Sequence, residues 1–487
     1  MLQNHRYQKQ VTEMINGISR IKWWKYRYVL FVALVVNVFV INRFFFDQSI
    51  SDLNPFGSPT TDENLESTTP STPDKTSNGA KTPVVAVEKT KETMTLNLHD
   101  YDFNGKYVGW PLERVCKETK WTPGLVYVCD NNSGGIGNIR NFILTCVRYA
   151  IESGSSGLII PRIQRRSEED HANLFTTGMQ PLSYFFDEAH FRGAMADNCP
   201  QITIFDTIND VPNHQNITKM EEFYPKDLNN PDGCDERGYN RHLDHFRVRF
   251  DKWLVSTKRT PSEAKPVSVR FRWATFFEWP IYRDGPEFAA TFGDLLRINP
   301  DIENIARAVL RELSKFAGIE PKDSKLDVPY LGVHLRTESD ALGFWPDFAV
   351  QSEGYLKEAE SRKLKHAYLA CGNATDGHRF GEIAHERLGI NTTSKLDLLK
   401  DQELQALTDL TWDQQALVDY LVLSKSTHFT GCSFSSFTMN IAFKRHTMTD
   451  GLHTRQWKSP GDEFTTLVGR FDNWFGDWMF MYECMWP

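Results

Sequence analysis

The sequence predicts an α/β protein with parallel β-α-β units, preceded by one transmembrane helix and a disordered stem. Three observations lead to this prediction. A short apolar run, LVYVC, passes through a glycine loop into an amphipathic pattern and then into a second apolar run. Farther along the chain, the apolar run YLGVHL ends in the polar stretch RTESD. Near the N-terminus, one long apolar stretch precedes a segment rich in Ser, Thr, Pro and charge. The 487 residues are enough for two or more domains.

The N-terminal apolar stretch is predicted to be a signal anchor. Tyr28–Ile41 is apolar except for Asn37, and extending it to Phe46 gives 19 residues. A bilayer span needs roughly 17–25 residues. Six Lys or Arg residues and one Glu precede the stretch, so the N-terminus is expected in the cytoplasm. A cleaved signal peptide is the weaker alternative, because no small-x-small cleavage site follows. We predict a cytoplasmic tail at 1–27, an anchor at 28–46 and a type II protein of the Golgi or endoplasmic reticulum membrane.

The region after the anchor is predicted to be lumenal. Residues 47–98 are polar and Pro-rich, which predicts a disordered stem open to O-glycosylation. All eight cysteines follow the anchor and could form up to four disulfides, whose pairing the sequence leaves open. The sequons at Asn131, Asn216, Asn373 and Asn391 fit a secretory route. The net charge of −8 argues against a nucleic acid partner.

The first β-α-β unit carries the glycine loop NNSGGIGNIRNF. Leu125–Cys129 is the predicted strand before it, and Leu158–Ile160 is the strand after the helix. Apolar positions from Ile139 to Ile151 recur at helical spacing. A glycine loop before a helix is typical of phosphate binding. It is neither a dinucleotide fingerprint, since Arg140 occupies the third glycine position, nor a P-loop. A tight structural turn is the alternative interpretation.

Polar residues at the end of a predicted strand make the second candidate site. Tyr330–Leu335 is the strand, and His334 and Arg336 lie at its carboxyl end. Ligands of open α/β sheets bind at such ends. An arginine there can offer two parallel hydrogen bonds to a phosphate. The alternative for the His-x-Arg pair is an ordinary buried ion pair.

Further elements follow in the C-terminal half. We predict a strand at His366–Cys371, a helix from about Gly377 to Arg387, a helix at Asp413–Ser424 and a short strand at Thr427–Thr430. The predicted helix at Asp413–Ser424 carries Asp419.

The next helix, TMNIAFKR, is preceded by two serines. Ser435 and Ser436 fall at its expected N-cap, where hydroxyl groups and free N–H groups can bind an anion. Plain helix capping is the alternative. No Asp-x-Asp motif follows a strand, and the one at Asp100–Asp102 lies at the edge of the stem. We therefore expect no obligatory metal.

The motifs HLRTESD and ALVDYLVLSKSTHFTGCSFSSFT resemble those of the protein O-fucosyltransferases, and GGIGNIR and FFDEAHF resemble the wider plant and fungal group. The similarity runs from about Val126 to Arg445. It implies a GT-B-like fold, with Rossmann-like lobes at 99–325 and 326–487 and a GDP-sugar cleft between them. It also implies inverting transfer of fucose from GDP-fucose to a hydroxyl on a protein or glycan acceptor.

The resemblance implies roles for individual residues as well. The glycine loop would lie beside the sugar and phosphate, Asp419 would bind guanine, and Arg336 and Asn138 would be catalytic. Glu338 and Asp340 are candidates for an acid–base or an orienting role. The positions expected to bind GDP-fucose are Gly135, Ile136, Gly137, Asn138, His334, Arg336, Asp419, Ser435, Ser436 and Phe437.

Two other functions stay open. A membrane-tethered lectin or folding factor could keep the fold without catalysis, and a transferase could use another nucleotide sugar. A metabolic GDP-sugar enzyme would need neither anchor nor stem. A glycan on Asn373 would be awkward, because this sequon follows a strand where the nucleotide pocket is expected.

Overall fold

A computed structural model describes residues 100–487 apart from 131, 171–172, 174–176, 225–245, 273–278, 322–324, 339–344, 434, 448–461 and 470–483, and all of these belong to one structural unit. The predicted tail, anchor and stem, together with Asn131 and Asp340, lie outside the described residues and stay predictions. Within the described residues, no helix combines the length and hydrophobicity that crossing a bilayer requires.

The first part of the fold is built on a five-stranded sheet with the order β5-β2-β1-β7-β6, in which every neighbouring pair is parallel. The buried residues of the central strand form a continuous run, as expected when helices and loops cover both faces of a parallel sheet. A two-stranded antiparallel pair, β3-β4, lies outside this sheet. The strands are β1 (Thr122–Val128), β2 (Ser155–Ile159), β3 (Ile163–Gln164), β4 (Met179–Gln180), β5 (Thr203–Phe205), β6 (Glu221–Phe223) and β7 (Val267–Phe271).

The helices of this part are α1 (Trp110–Glu118), α2 (Ile136–Glu152), α3 (Glu188–Asn198), α4 (Phe246–Ser256), α5 (Pro286–Thr291) and α6 (Pro300–Phe316). Helix α2 is buried along almost its whole length. It begins three residues before the predicted Ile139, because Gly135 is its N-cap. Side chains at Asp187 and Asn299 cap α3 and α6 by accepting backbone N–H groups.

A second five-stranded parallel sheet has the order β10-β9-β8-β11-β12. In chain order this is 3-2-1-4-5, the doubly wound arrangement, whose direction reverses between β8 and β11. The crevice outside the carboxyl ends of these two strands is therefore the expected ligand position. The strands are β8 (Leu331–His334), β9 (His366–Ala370), β10 (Asn391–Thr393), β11 (His428–Cys432) and β12 (Thr465–Val468).

The remaining helices are α7 (Phe348–Ser361), α8 (Ala374–Leu388), α9 (Lys395–Leu398), α10 (Asp401–Thr408), α11 (Trp412–Ser424) and α12 (Ser436–His446). The second half of α11 is buried on all sides, and α11 packs against α6 as well as against the second sheet. Helix α6 precedes the predicted lobe boundary at 325, yet it contacts helices of the second part of the fold.

The two parallel sheets confirm the predicted α/β class, while several boundaries differ from expectation. Helix α8 begins at Ala374 rather than near Gly377, because the Asn373 side chain caps it. Cys116–Cys199 and Cys129–Cys146 are disulfides, and Cys484 is also disulfide-bonded. Cys371 and Cys432 take part in no disulfide, so at most three of the four possible bridges form. Cys371 follows β9, and Cys432 is the last residue of β11. These strands lie on either side of β8, so the parallel sheet holds the two backbones apart.

Candidate active site

The crevice of the second sheet begins at His334, the last residue of β8. Its ring is buried, and its Nδ1 lies 2.6 Å from the Thr438 hydroxyl. The ring also packs against Phe437, with 4.7 Å between the centroids. Burial lowers the pKa of His334 to about 4, and the charge of Arg336 adds to this. His334 is therefore neutral near pH 7 and joins the end of β8 to the first turn of α12.

Helix α12 begins directly after β11, with Ser435 as its N-cap. The Ser435 hydroxyl accepts the Thr438 N–H at 3.5 Å, which confirms the predicted capping role for this serine. Ser436 is the first helical residue and is partly exposed. The first turn contains no acidic residue. Its free N–H groups and the helix dipole therefore favour an anion.

Arg336 lies two residues beyond β8 in a fixed setting. Its backbone N–H and C=O exchange 2.9 Å hydrogen bonds with the Gln351 side chain. Its guanidinium contacts Glu338 and stacks over Trp345, with Cζ 4.8 Å from the ring centroid. The second Glu338 oxygen accepts the Gly372 N–H at 2.7 Å. The ion pair foreseen as the alternative for Arg336 is thus present, and it also fixes the direction of the guanidinium.

The same contacts assign Glu338 an orienting role. Burial by itself raises the pKa of Glu338, but the neighbouring Arg336 charge and hydrogen bonds outweigh it, and the pKa is lowered. Both carboxylate oxygens have partners, one from each of two neighbouring strand ends. Glu338 is poorly placed to take a proton from a substrate. Asp340, the other acidic candidate, lies outside the described residues.

The glycine loop brings the first part of the fold against the second. Gly135 is the N-cap of α2, and the first turn of α2 contains no acidic residue. A Cβ atom on Gly137 would lie 2.5 Å from the Ser436 carbonyl oxygen and 3.0 Å from the Phe437 nitrogen. Only glycine fits this contact. The N termini of α2 and α12 therefore meet here, the first on the segment that follows β1 and the second on the segment that follows β11.

Buried polar groups without partners occur in the segments that lead into α2 and α12. Among the described atoms, Asn132 Oδ1, Ser133 Oγ and Ser433 Oγ are buried and make no hydrogen bond. The first two precede α2, and the third follows β11. Buried polar atoms normally have partners, so such groups at strand ends are suited to a ligand. Sequence reasoning missed them, although their positions at strand ends were a usable signal. Asn138, the predicted catalytic amide, is half-buried in the first turn of α2.

Asp419 lies in a different environment from the other predicted residues. One of its oxygens accepts the Tyr368 hydroxyl at 2.6 Å, and the other pairs with Lys395. Burial and the Asp419 charge raise the pKa of Tyr368 well above 10. These contacts join α11, β9 and α9 and do not include the glycine loop or Ser435. The expected contact between Asp419 and guanine stays a prediction.

The last described residues form a link that sequence reasoning also missed. Arg140 in α2 is buried and donates hydrogen bonds to the carbonyl oxygens of Trp486 at 2.7 Å and Pro487 at 2.5 Å. Asn440 in α12 donates to the same Trp486 oxygen at 2.7 Å. Asn141 exchanges hydrogen bonds with this segment as well. The segment thus joins the two helices whose N termini meet at Gly137.

Two parallel sheets whose strand ends carry an arginine and two converging helix N termini define an α/β protein suited to bind a phosphate-bearing ligand. Residues 125–448 match the family model described as GDP-fucose protein O-fucosyltransferase, and the chain belongs to this family. The resemblance seen in the sequence is confirmed, over nearly the same range. Among the described residues, no group of three or more His, Cys, Asp or Glu side chains could hold a metal ion.

Several solved fucosyltransferase structures are similar to this chain. POFUT1 in complex with GDP-fucose is 15% identical, with 72% of this chain and 99% of that chain covered at a TM-score of 0.43. NodZ from Bradyrhizobium is 16% identical over 66% and 90% at 0.34, and an Arabidopsis thaliana FUT1 mutant in complex with GDP is 10% identical over 69% and 71% at 0.33. No curated protein sequence matches the chain. The membership of this chain in the family rests on the match of residues 125–448 to the family model.

Proposed function

We propose that this protein transfers fucose from GDP-fucose to a hydroxyl group of a protein or glycan acceptor, with inversion at the sugar carbon. One observation carries the proposal: the N termini of α2 and α12 meet at the Gly137–Ser436 contact, and these helices follow β1 of the first sheet and β11 of the second. Two helix N termini at one point favour a group with two negative charges, such as a diphosphate. The family to which the chain belongs supports GDP-fucose as the donor.

The chemistry follows from the charges that develop. As the bond between C1 of the sugar and the β-phosphate oxygen breaks, negative charge grows on GDP. Preorganised donors at that oxygen are often the largest catalytic contribution. Arg336, held by Glu338 and Trp345, and the first turn of α12 are the donors beside the second-sheet crevice. Ser435 orders the helix turn, and neutral His334 fixes α12 against β8 without adding charge.

Donor binding and turnover test the proposal directly. The detergent-solubilised full chain is expected to bind GDP-fucose in calorimetry and to hydrolyse it slowly without an acceptor. EDTA should leave this turnover intact, because the described residues offer side-chain and helix donors for the phosphate. Complete loss on chelation, restored by a divalent ion, would reveal a metal requirement. Tight binding with no turnover under any condition would favour the lectin or folding-factor alternative, and preference for another nucleotide sugar would change the donor.

We further propose that the described residues face the lumen of the Golgi or endoplasmic reticulum. The sequons then differ in how readily they accept a glycan. Asn391 is exposed, and Asn216 is exposed but donates to the Ala264 carbonyl at 2.8 Å. Asn373 caps α8, and its amide contacts Asp376 at 2.9 Å. We expect glycans at Asn391 and Asn216 and none at Asn373, as measured by peptide mass spectrometry after deglycosylation.

Two results would contradict these expectations. Full occupancy at Asn373 would contradict the expected glycosylation pattern, because it would require the helix cap to be remodelled. Digestion of the folded part by a protease added outside sealed microsomes would contradict the topology and reverse the predicted orientation.

A further inference from the structure

The carboxyl end of the central strand of the first sheet carries polar groups that the donor site leaves unexplained. Strands β2 and β5 lie on one side of β1, and β7 and β6 lie on the other, so β1 is the central strand. Ligands of open α/β sheets bind outside the carboxyl ends of the strands. Helix α2 starts from the end of β1 and touches the start of α12. The strand ends of both sheets therefore lie on either side of the same contact.

An ion pair lies at the carboxyl ends of β1 and β7. Asp130 lies two residues beyond β1, and Arg270 lies near the end of β7, opposite Val128. Arg270 Nε donates to Asp130 Oδ1 at 2.7 Å. The side chains are 29% exposed for Asp130 and 35% for Arg270, so a substrate can reach them. Among the described residues, Arg270 is the one recorded partner of the Asp130 carboxylate, which leaves Oδ2 available.

The backbone around Asp130 is held in place. The Cys129–Cys146 disulfide ties the preceding residue to α2. The Asn132 side chain donates to the Cys129 carbonyl at 3.1 Å, and the Asn132 carbonyl accepts the Gln164 N–H at 3.0 Å. The carboxylate is thus fixed relative to the helix start where we place the diphosphate. A general base needs such positioning before its pKa matters.

Other carboxylates at the strand ends of the two sheets fit a base less well. Glu338 has both oxygens engaged. Asp206 follows the outer strand β5 and pairs with Arg192 on the surface. Glu222 lies beyond Arg270 on the edge strand β6, farther along the sheet from α2. Asp130 is the carboxylate that follows the central strand β1.

We propose that Asp130 is the general base of the transfer, oriented by Arg270, and that the acceptor hydroxyl binds beyond the carboxyl ends of β1 and β7. The inference rests on the proposed function. In this step the acceptor O–H proton moves to Asp130 Oδ2 while the oxygen forms a bond to C1 of fucose. The bond from C1 to the β-phosphate oxygen breaks, and its electron pair leaves with GDP. Arg270 is a positioning residue that fixes the direction of the carboxylate.

The test uses the full chain with GDP-fucose, so the identity of the acceptor is not needed. Asp130→Ala should lower the rate of GDP-fucose hydrolysis about 100- to 10,000-fold, the usual contribution of a general base. Its affinity for GDP-fucose in calorimetry should stay that of the wild type. Sodium azide should restore turnover and produce fucosyl azide of inverted configuration, because azide is an anionic nucleophile that needs no base. Arg270→Lys should keep more activity than Arg270→Ala.

Glu222→Ala is the matched control, a neighbouring carboxylate on the same sheet that should change neither hydrolysis nor the response to azide. Wild-type hydrolysis by an Asp130→Ala protein that binds donor would overturn the assignment. So would a loss of hydrolysis with no fucosyl azide, since that outcome indicates a structural role. If the wild-type protein does not bind GDP-fucose, the proposed function is wrong, and the assignment of Asp130 is wrong as a consequence.

Discussion

Replacement of Gly137 by alanine is expected to lower kcat for GDP-fucose turnover about 100-fold, because a displacement near 1 Å can have that effect. The added methyl group would lie 2.5 Å from the Ser436 carbonyl oxygen and 2.6 Å from its carbon. Both are backbone atoms, so no side chain can rotate away, and the starts of α2 and α12 must separate. Overpacking of this kind typically also reduces stability by about 1–3 kcal/mol. Steady-state kinetics and thermal denaturation of the same preparation measure the two effects.

Two other glycines sharpen this prediction. Gly193 lies within α3, and a Cβ there meets no atom within 4 Å, so Gly193→Ala should leave kcat unchanged and stabilise the protein by about 0.5–1 kcal/mol. Gly135, two residues before Gly137, also has no atom within 4 Å of a built Cβ. Gly135→Ala should keep the thermal midpoint of the wild type. It should weaken GDP-fucose binding, because the added methyl group would occupy space that we assign to the donor. A Gly137→Ala protein with normal kcat would show that the two helix starts need not meet.

The second large effect is expected at Arg336. Removal of one preorganised donor typically costs about 100- to 1,000-fold in rate, and Arg336→Ala should lose at least that much kcat. Arg336→Lys keeps the charge but not the planar pair of donors, so it should lower kcat more than it raises KM. The side chain is 12% exposed and paired with Glu338, which makes a purely structural role the competing explanation. In that case activity would fall only in proportion to folded protein.

Arg387→Ala separates these explanations. Arg387 also pairs with a glutamate, Glu353, through two hydrogen bonds, but on the exposed face of α8. An exposed pair contributes about 0–1 kcal/mol, so this variant should keep both its thermal midpoint and its kcat. A folded Arg336→Ala protein with near-normal kcat would remove Arg336 from the mechanism. Glu338→Gln offers a further check, since it keeps the shape of the orienting group while weakening its hold on Arg336.

Much of the second-sheet site could be predicted from the chain, because its determinants are local. The apolar run before His334 and Arg336 indicates a strand end, and Ser435 immediately precedes a helical pattern. Both features depend on neighbours within a few positions. The role of Glu338 could not be predicted in this way. Its partners are Arg336, two residues away, and Gly372, 34 residues away on the neighbouring strand end, and only the strand pairing brings the second one close.

The sequence by itself determined the parallel α/β class, the glycine loop before α2 and the family, since hydrophobic period and contiguous motifs are properties of short segments. Tertiary structure alone decided that Gly137 touches Ser436, that Arg270 reaches Asp130 across 140 residues, and that Arg140 holds Trp486 across 346. Such contacts depend on strand order and on packing between the two sheets. Neither is encoded in local periodicity, because the same local patterns are compatible with several strand orders.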